Sequence, residues 1–285
     1  MTRKLDRELS GVPETLLITL YMRAMESRRT DALIHDERSV ALMKKIEAAG
    51  LYDFGRMRSL RLSEENKLVI ILRNREIDRC AREFLARNPD AVAVHIGCGL
   101  DTRFERVDDG RVEWYDLDFP DVVEWRRKLV GPEGERHHLL GCSVLEEGWR
   151  DTIGSYGPRP FLFLAEGVFM YLTEAQVGRL VLTLRNRFPG AELVFDAYSP
   201  IHVLRHNLQY AAGSIQFPTR WGIWRGREME AWGGGIRQLG EWGYFDEKTP
   251  RLNRIRWMRG IEAAARTIRV YRFRLGEPTE RGSSD

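Results

Sequence analysis

The sequence predicts a doubly wound α/β fold with a mostly parallel sheet, and three observations support this. Short apolar runs at residues 91–96 and 161–165 are typical of strands that are buried on both faces. Segments with helical periodicity separate these runs, so strand and helix alternate along the chain. The first run ends in Gly97-Cys98-Gly99, a sharp turn that lets the backbone approach a ligand closely.

Composition limits the classes of protein to which the chain can belong. Its 285 residues are 43% hydrophobic, enough for one large domain or a domain with a cap. No apolar stretch of about 18 residues is present, so we expect a cytoplasmic protein with no membrane partner. The three cysteines form no Cys-x-x-Cys pair, which argues against a zinc site. The net charge of +3, without a basic stripe interleaved with aromatic residues, argues against nucleic acid as a partner.

The N-terminal third is predicted to be helical. Residues 15–49 carry two apolar stripes separated by a charged loop at 26–33, and a long helix runs from about Ser63 to Asn88. Arg73 lies among the core-facing residues of this long helix. A buried guanidinium needs an anionic partner, which could be a protein carboxylate such as Asp78 or the carboxylate of a ligand.

The Gly-x-Gly turn is followed by a second strand at 111–118, whose end supplies an acid at the expected distance of roughly 20 residues. Either Asp116 or Asp118 could hold the hydroxyl pair of a ribose. The third glycine of the dinucleotide fingerprint is missing, and Asp101 lies just past the turn. A carboxylate there repels a pyrophosphate and attracts a cation, which favours S-adenosylmethionine over NAD as cofactor.

The rest of the sheet follows in order. Further strands are predicted at 138–143, 161–165 and 193–196, with a helix between the last two that begins at Thr173. Beyond Pro200 the sequence is rich in Trp, Arg and Gly, which fits either a substrate lid inserted over the ligand edge of the sheet or an irregular surface subdomain. Alternating residues at 240–245 and 267–273 predict a closing antiparallel hairpin.

These elements predict a division of the chain into five parts. They are an N-terminal helical cap and cofactor helix at 1–88, a cofactor-binding core at 89–200, a substrate lid at 201–240, closing strands at 241–275 and a polar tail at 276–285.

Three stretches together resemble the leucine carboxyl methyltransferase family: residues 96–104, 115–120 and 164–172. The likeness covers roughly residues 15–275. The family includes the bacterial carboxyl methyltransferases of tetracenomycin type. The resemblance implies a seven-stranded methyltransferase sheet and S-adenosylmethionine as cofactor. It also implies that Arg73 binds the methionyl carboxylate and that Glu166 lies by the methionyl amine. Gly97 and Gly99 would lie alongside the methionyl group, and Asp118 would bind the ribose.

The chain departs from this family near the adenine. Members often carry Asp-Leu after the third strand, whereas this chain has Cys142-Ser143-Val144. Ser143 can still make one hydrogen bond to a ring or to a ribose.

The resemblance implies an O-methyltransferase whose acceptor is the carboxylate of a small, polyketide-like acid. Such a carboxylate is already ionised at neutral pH, so catalysis needs orientation and exclusion of water more than a general base. Tyr171, Tyr198 and Arg225 are the candidate catalytic residues, with Arg220 as a further candidate partner of the substrate. We expect a monomer or a homodimer, with no metal.

Three other interpretations stay open at this point. A phenol or alcohol acceptor would need a base, for which His202 and His206 are the candidates. A non-catalytic protein that binds S-adenosylmethionine would keep the same motifs. A dehydrogenase fits the missing glycine and Asp101 least well.

Overall fold

The computed structural model describes residues 14–55, 57, 64–213 and 217–277. They form a seven-stranded sheet with the order β3-β2-β1-β4-β5-β7-β6. The strands are β1 Val92–Ile96, β2 Glu113–Asp118, β3 His137–Gly141, β4 Phe161–Ala165, β5 Ala191–Tyr198, β6 Arg237–Gly243 and β7 Ile268–Leu275.

The sheet is parallel through its first five strands, and β7 runs antiparallel between β5 and β6. Every residue of β1 and β4 is buried, as their continuous apolar runs predict for strands covered on both faces. The predicted doubly wound fold and its closing hairpin are therefore confirmed.

The helices lie on both faces of the sheet. Their bounds are α1 Glu14–Glu26, α2 Glu37–Ala48, α3 Glu64–Arg87, α4 Arg103–Val107, α5 Pro120–Leu129, α6 Gly148–Gly154, α7 Glu174–Arg187, α8 Pro200–Ala211, α9 Arg227–Glu230 and α10 Glu262–Ala265. Thr173 and Gln176 form the capping box that starts α7, whereas the predicted N-cap Ser63 lies outside the described residues. Among the described helices, none is long and apolar enough to cross a bilayer.

The long helix α3 packs its apolar face into the core. Its predicted apolar face is buried along its whole length: Leu68, Ile71, Leu72, Ile77, Cys80, Phe84 and Leu85. The same burial brings Arg73, in the middle of that face, to the carboxyl ends of β4 and β5.

Helices α1 and α2 are fixed to the turn after β1 by a buried carboxylate. Asp36 caps α2 and accepts hydrogen bonds from Thr102 Oγ1 and Arg106 Nη1, both at 2.8 Å. Arg23 on α1 pairs with Asp36 and donates to the carbonyl of Leu100 at 3.0 Å. Because these groups are desolvated, water does not screen the ion pairs that join α1 and α2 to the turn.

The segment at 201–240 differs from the irregular lid that its composition predicts. It begins with the helix α8, and its Trp221 is a core residue whose ring lies 6.1 Å from that of Phe195. The composition of this stretch did not indicate that Trp221 is buried against Phe195 of β5, which only the packing shows. The division into cap, core and lid stays a prediction.

Candidate active site

The turn after β1 has the backbone conformation that its two glycines permit. Gly97 and Gly99 have φ values of 65° and 50°, in the left-handed region that disfavours side chains. A Cβ at Gly97 would lie 2.4 Å from Val168 Cγ2, and one at Gly99 would lie 2.7 Å from Leu16 Cδ2. Side chains from the β4 loop and from α1 therefore close over the turn, and neither glycine can be replaced without displacing them.

Of the two candidate acids on β2, only Asp118 reaches the turn. Its Oδ2 accepts a hydrogen bond from the Gly99 amide at 2.7 Å and its Oδ1 accepts one from the Phe119 amide at 2.8 Å. Asp116 instead is buried in an ion pair with Arg126. Burial raises the pKa of Asp118, and the two amides that favour its ionised form act against this.

The loop after β3 lies beside Asp118, because the Cys142 amide donates to the Asp118 carbonyl at 2.9 Å. Ser143 follows, and its own amide donates to Glu146 Oε1 at 3.0 Å. Phe119 is 59% exposed at this place, an unusual exposure for an aromatic ring. Its ring can cover a flat heterocycle next to a ribose that Asp118 holds.

Arg73 lies between two carboxylates at the ends of β4 and β5. Its Nε donates to Glu166 Oε1 at 2.9 Å and its Nη1 donates to Asp196 Oδ2 at 3.0 Å. Asp78 is not the partner of Arg73 that the sequence predicts, because it pairs with Arg103 and Arg106 one turn further along α3. The two carboxylates raise the pKa of Arg73 against the effect of burial, so it stays charged.

Asp101 faces arginines. Its Oδ1 lies 2.9 Å from Arg106 Nη1 and its Oδ2 lies 3.3 Å from Arg103 Nη2. The charge of these arginines holds the pKa of Asp101 well below its usual range despite burial. The carboxylate is thus ionised but already compensated by the protein, so its attraction for a ligand cation is weaker than the sequence alone suggests.

Two tyrosines lie near Arg73. Tyr198 ends β5 and Tyr171 follows β4, and each is near enough for the charge of Arg73 to act on its phenol. Burial nevertheless dominates and raises both pKa values, that of Tyr198 to about 12. The His202 ring packs against Tyr198 at a tilt of 48° with ring centroids 4.4 Å apart, and burial lowers the pKa of His202 to about 4.

The two candidate arginines of the lid lie in different places. Arg220 is exposed, and its amide donates to the Met170 carbonyl at 2.7 Å, next to Tyr171. Arg225 is exposed two residues before α9, where its amide donates to Glu228 Oε1 at 2.7 Å. The contacts of the described residues connect Arg220, but not Arg225, with the loop after β4.

Sequence reasoning missed Asp196, Phe119 and Asn74. Asp196 is fully buried at the end of β5 and Asn74 donates to both Asp101 and Glu166, so both belong to the same charged cluster. A signal for Asp196 was available, since an acid at the carboxyl end of an apolar strand is costly unless it is paired. Phe119 gave none, because exposure of an aromatic side chain is decided by packing.

The site can be summarised by the ligand groups it fits. Arg73 and Glu166 carry opposite charges that suit the carboxylate and the ammonium of an amino acid. Asp118 suits a pair of hydroxyl groups, and Phe119 suits a flat heterocycle. These are the parts of S-adenosylmethionine, so the residues present fit that cofactor.

A cavity of about 950 Å³ lies at the other edge of the sheet, away from this site. Arg87, Arg159, Arg187 and Arg274 line it together with Glu192. Arg87 and Arg187 occupy the last turns of α3 and α7, where a cation compensates the negative end of the helix dipole. Their position is explained by the helices and needs no ligand.

Comparison with known proteins agrees with the geometry. The family model described as leucine carboxyl methyltransferase matches residues 16–185. The tetracenomycin polyketide synthesis O-methyltransferase TcmP of Streptomyces glaucescens is 35% identical over 84% of this chain and 85% of its own length. The S-adenosyl-L-methionine-dependent methyltransferase dpfgK of Gibberella zeae is 33% identical over 66% of this chain and 67% of its own.

A solved structure shows the same fold. The crystal structure of a duf574 family protein from Streptomyces avermitilis superposes with a TM-score of 0.54. It covers 95% of this chain and 99% of that one at 15% sequence identity, so the likeness concerns the fold alone.

Proposed function

Since this chain belongs to the leucine carboxyl methyltransferase family, we propose that it methylates a carboxylate oxygen of a small, polyketide-like acid. The chain is an S-adenosylmethionine-dependent methyltransferase, as its relatives are. The nature of the acceptor is the proposal. It is motivated by the tetracenomycin relative, a polyketide synthesis O-methyltransferase, and by the ionisable side chains of Tyr171, Tyr198 and His202.

One observation carries the choice of a carboxylate acceptor. Among Tyr171, Tyr198 and His202, no side chain has a pKa shifted toward neutrality: burial raises the pKa values of the two phenols and lowers that of the His202 imidazole to about 4. A hydroxyl acceptor needs a base that works near pH 7. A carboxylate has already lost its proton, so these groups suit it better.

In this proposal the residues of the chain bind and orient. When bound, S-adenosylmethionine supplies an electrophilic methyl group that passes from sulfur to oxygen, and no proton is transferred. Arg73 and Glu166 hold the methionyl end, while Asp118 and Phe119 hold the nucleoside. The protonated phenols of Tyr171 and Tyr198 donate hydrogen bonds to the acceptor carboxylate and fix its direction.

Exclusion of water is the other contribution. Leu16 and Val168 lie over the glycine turn, as the short distances to their methyl groups show. Phe169, in the short turn that ends at Tyr171, packs against Trp221 with ring centroids 6.4 Å apart. A desolvated carboxylate is a stronger nucleophile than a hydrated one, because it no longer loses water hydrogen bonds on reaction.

The test is a panel of aromatic acids that carry both a carboxyl and a hydroxyl group, incubated with S-adenosylmethionine that carries a labelled methyl group. A carboxylate acceptor gives an ester, from which alkali releases labelled methanol, whereas an aryl ether resists alkali. Single-turnover rates from pH 6 to 9 should vary little, because a carboxyl of pKa about 4 is ionised throughout. The His202→Ala and His206→Ala variants should keep most of their turnover.

A hydroxyl acceptor would give the opposite result. Its product would resist alkali, and its rate would rise about ten-fold per pH unit below the pKa of its base. Loss of that rise in His202→Ala or His206→Ala would replace the carboxylate proposal with a hydroxyl acceptor and a histidine base.

A further inference from the structure

Asp196 connects three parts of the site through one buried carboxylate. It lies near the end of β5 and is fully buried. Its Oδ2 accepts from Arg73 Nη1 on α3 at 3.0 Å, and its Oδ1 accepts from the Gly167 amide in the β4 loop at 2.6 Å. This side chain therefore connects strand β5 with helix α3 and with the loop that carries Glu166.

The contacts of Arg73 leave one side of its guanidinium open. Nε is used by Glu166 and Nη1 by Asp196. Among the described residues, none accepts a hydrogen bond from Nη2. Gly167, with φ at 69°, lets the backbone turn beside this nitrogen, and a Cβ there would lie 3.8 Å from it. The guanidinium is planar, so fixing two of its nitrogens fixes the direction of the third.

We propose that Asp196 is a positioning residue, which aims Nη2 of Arg73 at the carboxylate of the cofactor's methionyl group. This rests on the cofactor half of the proposed function and is independent of the acceptor. Asp196 does not itself touch the ligand in this role. It acts through Arg73, while the Gly167 amide holds the other oxygen of its carboxylate and Glu166 accepts from Nε of Arg73.

Asp196 is suited to this role because it is desolvated and bonded to groups on separate elements. A carboxylate that accepts one charged and one backbone hydrogen bond has little freedom to turn. Replacement by asparagine removes the charge and presents an NH₂ group to either Arg73 or Gly167, both of which are donors. One of the two contacts is then lost, and the guanidinium can rotate away from the site.

The experiment compares two ligands by calorimetry on the full chain. S-adenosylhomocysteine carries the methionyl-type carboxylate, and 5′-methylthioadenosine lacks the amino acid but keeps the nucleoside. We expect Asp196→Asn to weaken binding of S-adenosylhomocysteine about ten-fold or more, as for loss of a hydrogen bond to a charged group. Binding of 5′-methylthioadenosine should change less than about two-fold.

Glu192 offers a matched control. It is also a buried acid on β5, and it pairs with Arg87 at 3.1 Å and with Arg272 at 2.7 Å, but at the amino end of the strand. Glu192→Gln should leave the affinity for both ligands unchanged. Thermal unfolding without ligand tests whether each variant is folded, and Asp196→Ser, which keeps a smaller oxygen acceptor, replaces Asp196→Asn if the latter is not.

A double-mutant cycle tests the route of action. If Asp196 works through Arg73, Asp196→Asn has no further effect on S-adenosylhomocysteine binding once Arg73 is alanine. Equal losses for both ligands, or unchanged binding of S-adenosylhomocysteine, would overturn the inference. Formation of an ether by a chain that still shows this pattern would refute only the carboxylate acceptor.

Discussion

Arginines at the two edges of the sheet have different surroundings and different roles. At the amino edge, Arg87 and Arg187 have side chains that are 53% and 41% exposed, and each pairs with one carboxylate. At the carboxyl edge, Arg73 and Arg103 are 10% and 0% exposed, and each contacts at least two. The open cavity lies at the first edge and the charged cluster at the second. The candidate site therefore coincides with desolvated, shared ion pairs and not with the cavity.

Removing one arginine from each edge tests the comparison most directly. Arg103→Ala should lower the free energy of unfolding by about 3–5 kcal/mol, because it leaves Asp78, Asp101 and Glu166 less compensated in a buried cluster. Arg187→Ala should change it by less than about 1 kcal/mol, since its pair with Asp151 is screened by water. Urea denaturation of both variants measures the difference, and similar losses would show that the two edges are energetically alike.

The next effect concerns ligand binding at the carboxyl edge. Arg73→Ala should cost about 2–5 kcal/mol of S-adenosylhomocysteine binding, because the ligand carboxylate would be left unpaired in a desolvated place. Arg87→Ala, at the amino edge, should bind as the unaltered chain does. Calorimetry on folded protein decides this. Undiminished binding by Arg73→Ala would make Arg73 a structural ion-pair partner of Glu166 and Asp196 only.

Glycines sharpen the comparison without changing charge. Gly97→Ala should destabilise the fold by about 2–4 kcal/mol, because the new methyl meets Val168 and φ is positive. Gly157→Ala, near the amino edge, has a similar φ of 72° but no atom within 4 Å of the added Cβ. It should cost only about 1 kcal/mol. Equal losses in chemical denaturation would mean that Val168 moves aside freely.

The smallest effect is a dependence of the free energy of unfolding on pH, which comes from His202 beside Tyr198. Burial lowers the pKa of His202 from 6.5 to about 4, so between these pH values the unfolded chain takes up a proton that the folded chain does not. The free energy of unfolding should therefore fall as pH drops from 6.5 toward 4. The slope from His202 is below the limit of about 1.4 kcal/mol per pH unit, because the ring is only partly buried.

His202→Asn should reduce this slope, while His35→Asn, at an exposed position, should leave it unchanged. Urea denaturation at several pH values from 4.5 to 7 measures both. A slope that His202→Asn does not alter would show that His202 is not desolvated in solution.

The alternation of strands and helices and the glycine turn followed from the sequence, whereas the roles of Arg73, Asp118 and Glu166 were implied by the family resemblance. These features depend on local patterns: apolar runs mark strands, periodicity marks helices, and a Gly-x-Gly pair after a strand marks a turn. The Gly-x-Gly turn and Asp101 favoured S-adenosylmethionine as the cofactor, and the three family stretches implied the same. Local pattern was sufficient for the strands, helices and turn because each is encoded by residues that are close together in the chain.

The tertiary structure alone decided which charges face one another. Arg73 is 93 residues from Glu166 and 123 from Asp196, so only the packing of α3 against β4 and β5 could pair them. Packing also placed Asp101 among arginines and buried Trp221 in the core. A sequence states which residues carry charge, but their solvation and their partners depend on distances that arise only when elements remote in the chain meet.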